Sequence, residues 1–291
     1  MEVRQLGRYI ADLIALARPL AAAFAGAQVV VGAHLTGSIT TSVSEATLLQ
    51  EGVAITFIVA AVNGVNDIVD IEADAISRPH RPLPGGRVSR SVAWRLVGAE
   101  SVAALALSIG VPAAAMVNPV LLFLGIFYSY RLKSTVLAGN FTAAFLAATP
   151  LVYGGWLGGV PRISSSTAAG LIFIYMFAFE VLKTIRDKDA DQATGYRTVA
   201  TQWGEGTTTA IYRGTLAIYT LLAAVPILLA HANSSYSALI WPGAVLPPLI
   251  AGWLLPVSRS PNAVRTALLV MTLAWFPGIA ALAIGFHTVG A

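Results

Sequence analysis

Residues 52–74 read GVAITFIVAAVNGVNDIVDIEAD, an apolar run that meets Asn66-Asp67 and then sets down Asp70, Glu72 and Asp74 in quick succession. A hydrocarbon core of about 30 Å takes about 20 apolar residues per helical crossing, so the run predicts a membrane helix with acids at its emerging end. The rest of the chain agrees with that solvent. Of its 291 residues 56% are hydrophobic and only 11% charged, and a mean hydropathy of +0.73 excludes a water-soluble globule. The chain has no cysteine, which removes disulfides, thiolate zinc sites, iron–sulfur clusters and thiol nucleophiles. Any metal has to be held by oxygen or imidazole, and His34, His80, His231 and His287 are too scattered for a histidine site.

Apolar runs between charged or Pro/Gly-rich breaks predict helices over 13–36, 46–67, 89–112, 117–131, 135–158, 165–187, 207–231, 236–256 and 264–288. The fold expected is all-α and polytopic, a single domain over 1–291 with nine transmembrane helices around a central cavity. With that count, every basic residue except Arg162 falls on one face, including Arg4, Arg8, Arg131, Arg213, Arg259 and Arg265. The positive-inside rule then puts the N-terminus in the cytoplasm and the protein in the cell membrane. The basic surplus is thus a topology signal, and neither a nucleic acid nor a protein partner is implied.

The acids carry the chemistry. Four lie within 66–74 (Asp67, Asp70, Glu72, Asp74) and four within 180–191 (Glu180, Asp187, Asp189, Asp191), and none follows Glu205. Both groups sit where a helix leaves the membrane on the same side. Asp70-Ile-Glu72-Ala-Asp74 and Asp187-Lys-Asp189-Ala-Asp191 share their spacing, and Arg81 or Arg197 follows each, which reads as an internal repeat. Positions i and i+4 share a helix face, so Asn66, Asp70 and Asp74 form one polar stripe and Asp187 and Asp191 another, with Glu72 and Asp189 turned elsewhere. Like charges stacked at a helix C-terminus repel one another and oppose the macrodipole, so something cationic should offset them. Oxygen donors without His or Cys suit Mg²⁺ or Mn²⁺, which completes its shell with water and phosphate. Solvated loop acids beside arginines would explain one such group, but not two with the same internal spacing.

At Asn66-Asp67-Ile-Val-Asp70-Ile-Glu-Ala-Asp74, followed by Arg78-Pro-His-Arg81-Pro-Leu-Pro-Gly, and again at Asp187-Lys-Asp-Ala-Asp191, the chain resembles the UbiA superfamily of intramembrane prenyltransferases, whose motifs are NDxxDxxxD and DxxxD. The resemblance implies that Asn66, Asp70, Asp74, Asp187 and Asp191 hold two Mg²⁺ ions that bridge the diphosphate of a polyprenyl donor. It makes Arg78, Arg81, Tyr128, Lys133, Lys183 and Arg197 candidates to bind diphosphate oxygens, Arg by a fork and Lys as a point charge. Asp67, next to Asn66, cannot share its face and is expected behind the ligands.

The chemistry implied is ionisation of an allylic diphosphate once its leaving group is neutralised, with apolar walls shielding the cation until an acceptor traps it. The segments Arg78 to Gly86, Tyr128 to Lys133 and Gly139-Asn140 are most similar to the archaeal ether-lipid branch, in which the acceptor is the free hydroxyl of geranylgeranylglyceryl phosphate. Arg18 and Asn140 are the candidate acceptor-binding residues. The second motif departs from that branch's acid-rich form, since Lys183-Thr-Ile-Arg-Asp187 stands in its place. An aromatic acceptor, 4-hydroxybenzoate or a quinone precursor, therefore stays open. Outside enzymes the alternative is a secondary transporter, whose site should lie at the midplane rather than at the membrane edge.

Overall fold

The computed structural model describes residues 3–36, 43–158, 163–255 and 261–286; Arg162, Arg259 and His287 lie outside them. The described chain is helical: α1 (Val3–Ala17), α2 (Pro19–Leu35), α3 (Glu45–Val69), α4 (Ile71–Ser77), α5 (Arg90–Leu107), α6 (Pro112–Phe127), α7 (Ala138–Leu157), α8 (Ile163–Arg186), α9 (Lys188–Ala193), α10 (Val199–Leu228), α11 (Ser234–Leu239), α12 (Leu246–Leu254) and α13 (Pro261–Gly285). π-Helical turns follow α6 at Tyr128–Leu132 and join α11 to α12 at Ile240–Val245. Among the described residues the only β pairing is an isolated bridge between Ala232 and Phe286.

Helix occupies each of the nine stretches expected from the sequence, but the spans are fewer by the measure of length and apolarity. Among the described residues six helices meet it: α3, α6 with its π turn, α8, α10, α11 through α12, and α13; α1 and α2 together would make a seventh. The expected first helix over 13–36 is in fact two, bent by 46°. Proline disfavours the α conformation at the residue before it, and Arg18, before Pro19, adopts φ 48°, ψ 62°. α1 leaves Leu6, Ile10 and Ile14 exposed at a four-residue spacing, the stripe of a helix that lies along an apolar surface.

Two cores build the bundle. One joins α8, α10, α11, α12 and α13 through Leu182, Tyr212, Leu216, Tyr236, Leu249 and Met271. The other joins α2, α3, α5 and α6 through Val29, Ile55, Val65, Val97 and Leu122. α3 and α8, which end in the two acidic motifs, belong to different halves, and α7 packs between α2 and α8. The α2–α7 contact is made backbone to backbone. A Cβ on Gly154 would lie 1.9 Å from the Val29 carbonyl oxygen, and one on Gly32 would lie 2.0 Å from that of Leu151. Small residues permit this approach where lipid supplies no hydrophobic drive between helices. Away from the motifs, Glu51 is fully buried and its Oε2 accepts hydrogen bonds from Asn118 Nδ2 and Tyr153 Oη, both at 2.9 Å.

Candidate active site

The two motifs have the same backbone form. α3 ends and α4 begins at Asp70 (φ −91°, ψ 8°), and α8 ends and α9 begins at Asp187 (φ −96°, ψ 2°). Both lie near the bridge region of φ/ψ space, sparsely allowed and frequent among active-site residues. The break redirects the chain without losing register. The Asp70 amide donates to Asn66 O (2.9 Å), Asp74 to Asp70 O (2.7 Å) and Arg78 to Asp74 O (2.7 Å), and on the other side Asp187 donates to Lys183 O (3.0 Å) and Asp191 to Asp187 O (2.9 Å). The stripes expected of straight helices therefore persist on bent ones. α4 packs against α9, so the stripes face a common polar cavity of about 150 Å³.

Cations offset the acids, as like-charge stacking requires. Arg78 bridges the motifs, Nη1 to Asp74 Oδ1 at 2.7 Å and Nη2 to Asp187 Oδ1. Arg81 Nη1 reaches Asp74 Oδ2 (2.6 Å) and Asp67 Oδ1 (3.1 Å). Lys133 pairs with Asp70 and lies 5.3 Å from the centre of the Tyr196 ring, whose hydroxyl donates to Asp70 Oδ1 at 3.3 Å. Asp67, buried behind the cavity, accepts from both Arg81 and Arg18, and Arg18 also donates to Asn63 Oδ1 at 3.4 Å.

Tyr128 and Lys133 reach one cavity through a π turn. Five residues on an α-helix diverge by about 140° at 3.6 residues per turn. Here the Lys133 amide donates to Tyr128 O at 3.0 Å, closing a wider i to i+5 turn that brings both side chains to the same side. Single π turns of this kind are frequent at functional sites.

All the candidate residues line the polar cavity except Arg197: Arg18, Asn66, Asp70, Asp74, Arg78, Arg81, Tyr128, Lys133, Asn140, Lys183, Asp187 and Asp191. Arg197 is a correction. Gly195, at φ 77°, turns the chain after α9, the Tyr196 amide donates back to Asp191 O at 2.7 Å, and Thr198 is extended at the start of α10. Tyr196 and Thr198 face the cavity, while Arg197 between them is exposed. The cavity adds lining residues beyond the candidates: Tyr196, Glu180, Thr184, Thr198 and Arg186, whose Nε and Nη2 each lie 2.8 Å from an Asp187 oxygen. Arg186 and Tyr196 flank the second motif in sequence, the one signal that could have found them. Glu72 and Asp189, expected off the stripes, do not line the cavity.

The two second-motif acids differ in proton affinity. Burial pushes Asp187 up, but hydrogen bonds and charge from Arg186, with the charges of Arg78 and Lys183, outweigh it and bring its pKa down to about 2. Burial, and then the charges of Asp187 and Asp70, push Asp191 up to about 7 against a hydrogen bond with Thr198. A carboxyl held up in this way lacks a cation. With an all-oxygen donor set on both stripes, the site suits a hard divalent ion. Among the described residues no three acids lie close enough to hold a metal ion as they stand; the Arg78 guanidinium lies between the stripes instead.

Below the polar cavity lies a second one, of about 340 Å³ and apolar, walled by residues such as Phe24, Ile55, Val59, Leu146, Met176, Phe179 and Trp275. Arg18, Asn66, Tyr128, Glu180 and Lys183 line both and form the neck between them. A charged group thus fits above the neck and a hydrocarbon chain below it.

The UbiA prenyltransferase family model matches residues 20–276. Digeranylgeranylglyceryl phosphate synthase of Methanopyrus kandleri is 35% identical over 206 residues, covering 66% of this chain and 69% of that protein. The synthase of the same name from Halobacterium salinarum is 30% identical over 236 residues, 80% of this chain and 84% of that one. Among solved structures, a UbiA homolog from Archaeoglobus fulgidus bound to GPP and Mg²⁺ superposes with a TM-score of 0.65 at 19% identity, covering 94% of this chain and 100% of that one.

Proposed function

The chain belongs to the UbiA prenyltransferase family, and on that premise we propose that it moves a geranylgeranyl-type chain from its diphosphate to the hydroxyl of geranylgeranylglyceryl phosphate, a step of archaeal ether-lipid synthesis. The observation that carries this is the two-storey cavity: acid stripes and cations above the neck, an apolar chamber below it. The names of the relatives support the acceptor.

Asn66, Asp70, Asp74, Asp187 and Asp191 would hold the metal, two Mg²⁺ ions in this reading, with Mn²⁺ able to replace them. When bound, the metal supplies positive charge that stabilises a departing diphosphate. The chain's own cations add to that charge, Arg78 and Arg81 as forks and Lys133 and Lys183 as point charges, with Tyr128 as a hydrogen-bond partner. Arg78 turns from the carboxylates to phosphate oxygens as the site fills. Arg18 and Asn140 hold the acceptor phosphate. The apolar chamber keeps water from the allylic cation until the acceptor oxygen bonds to it and the bond to the diphosphate oxygen is gone.

The protein is integral to the membrane. We place its N-terminus and its active site on the cytoplasmic face of the cell membrane, with α5, α7 and the α1–α2 pair completing nine spans. The run of basic residues on one set of loops supports this. The matched cavity and the paired motifs also support one domain with an internal repeat.

The test is turnover in detergent with radiolabelled geranylgeranyl diphosphate and Mg²⁺, offering geranylgeranylglyceryl phosphate and 4-hydroxybenzoate in parallel, with EDTA as control. EDTA-sensitive product with the glyceryl phosphate is the expected result. Product with the benzoate alone would move the chain to the aromatic acceptors, and no product from either would overturn the proposal.

A further inference from the structure

Forming an ether from a hydroxyl releases a proton, and none of the groups assigned above accepts it. The acid stripes line the polar storey only; no motif aspartate lines the apolar chamber. The carbon that reacts has its diphosphate above the neck and its chain below, so the acceptor hydroxyl has to come to the neck. Of the residues there, Arg18, Asn66, Tyr128, Glu180 and Lys183, only Glu180 is a carboxylate.

Its position follows from the register of α8. Glu180 precedes Asp187 by seven residues, two turns, which puts it on the face of the motif and about 10 Å deeper along the axis. Its side chain is 12% exposed, and both oxygens accept from Lys183 Nζ, at 2.8 and 2.9 Å. Lys183 in turn lies 5.9 Å from the centre of the Phe179 ring, which fixes it on the chamber side. A carboxylate offers about four lone-pair positions, so capacity remains toward the neck. The matching position of the first motif, seven residues before Asp70, is Asn63, which is engaged with Arg18 and with Ala17 O. The repeat thus carries its one carboxylate at this depth on the second-motif side.

We infer that Glu180 is the general base for the acceptor hydroxyl, an inference that rests on the functional reading above. The hydroxyl oxygen bonds to C1 of the allylic chain, the bond from C1 to the diphosphate oxygen breaks with its electrons on the diphosphate, and the hydroxyl proton passes to a Glu180 oxygen. General bases contribute typically 10²–10⁴-fold to rate. The charged and titratable residues that line the two cavities with Glu180 are Tyr175, Lys183, Arg186 and Asp187 along and just after α8, Tyr219 from α10, Arg18 from the α1–α2 junction, Tyr128 and Lys133 at the π turn, and Asp70, Asp74, Arg78, Arg81, Asp191 and Tyr196 around the polar cavity. α7 and α13 contribute Asn140 and Trp275, which do not titrate.

The experiment compares wild type, Glu180→Gln and Glu180→Asp in detergent with geranylgeranyl diphosphate, Mg²⁺ and geranylgeranylglyceryl phosphate, and records kcat and the Kd of the donor alone. The expected result is a kcat at least a hundredfold lower in Glu180→Gln, a donor Kd within threefold of wild type, and partial recovery in Glu180→Asp. Turnover of Glu180→Gln within threefold of wild type would overturn the assignment. So would a donor Kd weakened in step with kcat, which would make Glu180 only a holder of Lys183. Absence of product from the wild type would instead overturn the functional reading, and this assignment with it.

Discussion

Replacing Arg78 by Gln should shift metal binding and turnover in opposite directions. The guanidinium is one-fifth exposed and bridges Asp74, which is 2% exposed, to Asp187, which is 19% exposed. A pair in contact at an effective dielectric of 20 interacts by about 4 kcal/mol. Desolvation and partial exposure cut the net opposition that such a cation offers to an incoming one to about 1.5 kcal/mol, roughly tenfold in Kd. With no donor present, Arg78→Gln should therefore bind Mg²⁺ about tenfold more tightly than wild type, read by calorimetric titration in detergent. In turnover the same variant lacks a fork for the diphosphate, and a hydrogen bond between charged groups contributes about 1.5–3 kcal/mol, so kcat/KM should fall by about 10–100-fold. Mg²⁺ affinity that is unchanged or weaker would refute the idea that Arg78 competes with the metal for the space between the stripes.

Asp70→Asn and Asp187→Asn should each abolish turnover while the protein stays folded and extractable, and Asp189→Asn, exposed off the stripe, should keep most of it; equal loss in all three would sink the helix-face argument. Asp191 is held up to about 7, so below that pH it carries a proton it must shed to bind metal. Mg²⁺ binding should accordingly tighten from pH 6 to 8 with release of protons to a weak buffer, and a pH-independent Kd would contradict the shift. Gly154→Leu should cost more than about 3 kcal/mol, because its Cβ would lie 1.9 Å from a main-chain oxygen that cannot step aside. A thermal melt in detergent indistinguishable from wild type would show that α2 and α7 can separate.

Much of the site is readable because it is local. Asn66, Asp70 and Asp74 share a face by spacing alone, and the amide bonds that survive the break at Asp70 keep them there. Arg18 is different: the proline after it marks the break in the first helix, but apolarity runs straight through Pro19 and hides it. Analogy with Arg81 draws Arg197 in, and only the turn at Gly195 decides that Tyr196 enters and Arg197 does not. Glu180 lies on the predicted stripe two turns early, yet nothing local says that a cavity opens beside it. The chamber walls come from helices far apart in the chain, such as Phe24 and Trp275, whose rings lie 5.7 Å apart. No periodicity encodes that meeting.

The wide turn at Tyr128–Leu132 is in effect one extra residue held in a helix that otherwise winds normally. It separates two demands on the same rod. Upstream, α6 keeps the phase that packs Leu122 and Gly125 into the bundle; downstream, Lys133 has the phase that meets Asp70. Winding the same residues as ordinary α-helix, with none removed, would swing everything after the turn by about 100°, taking Lys133 off Asp70 while the lipid-facing wall stays as it was. Wall and site can thus change independently, each on its own side of the turn.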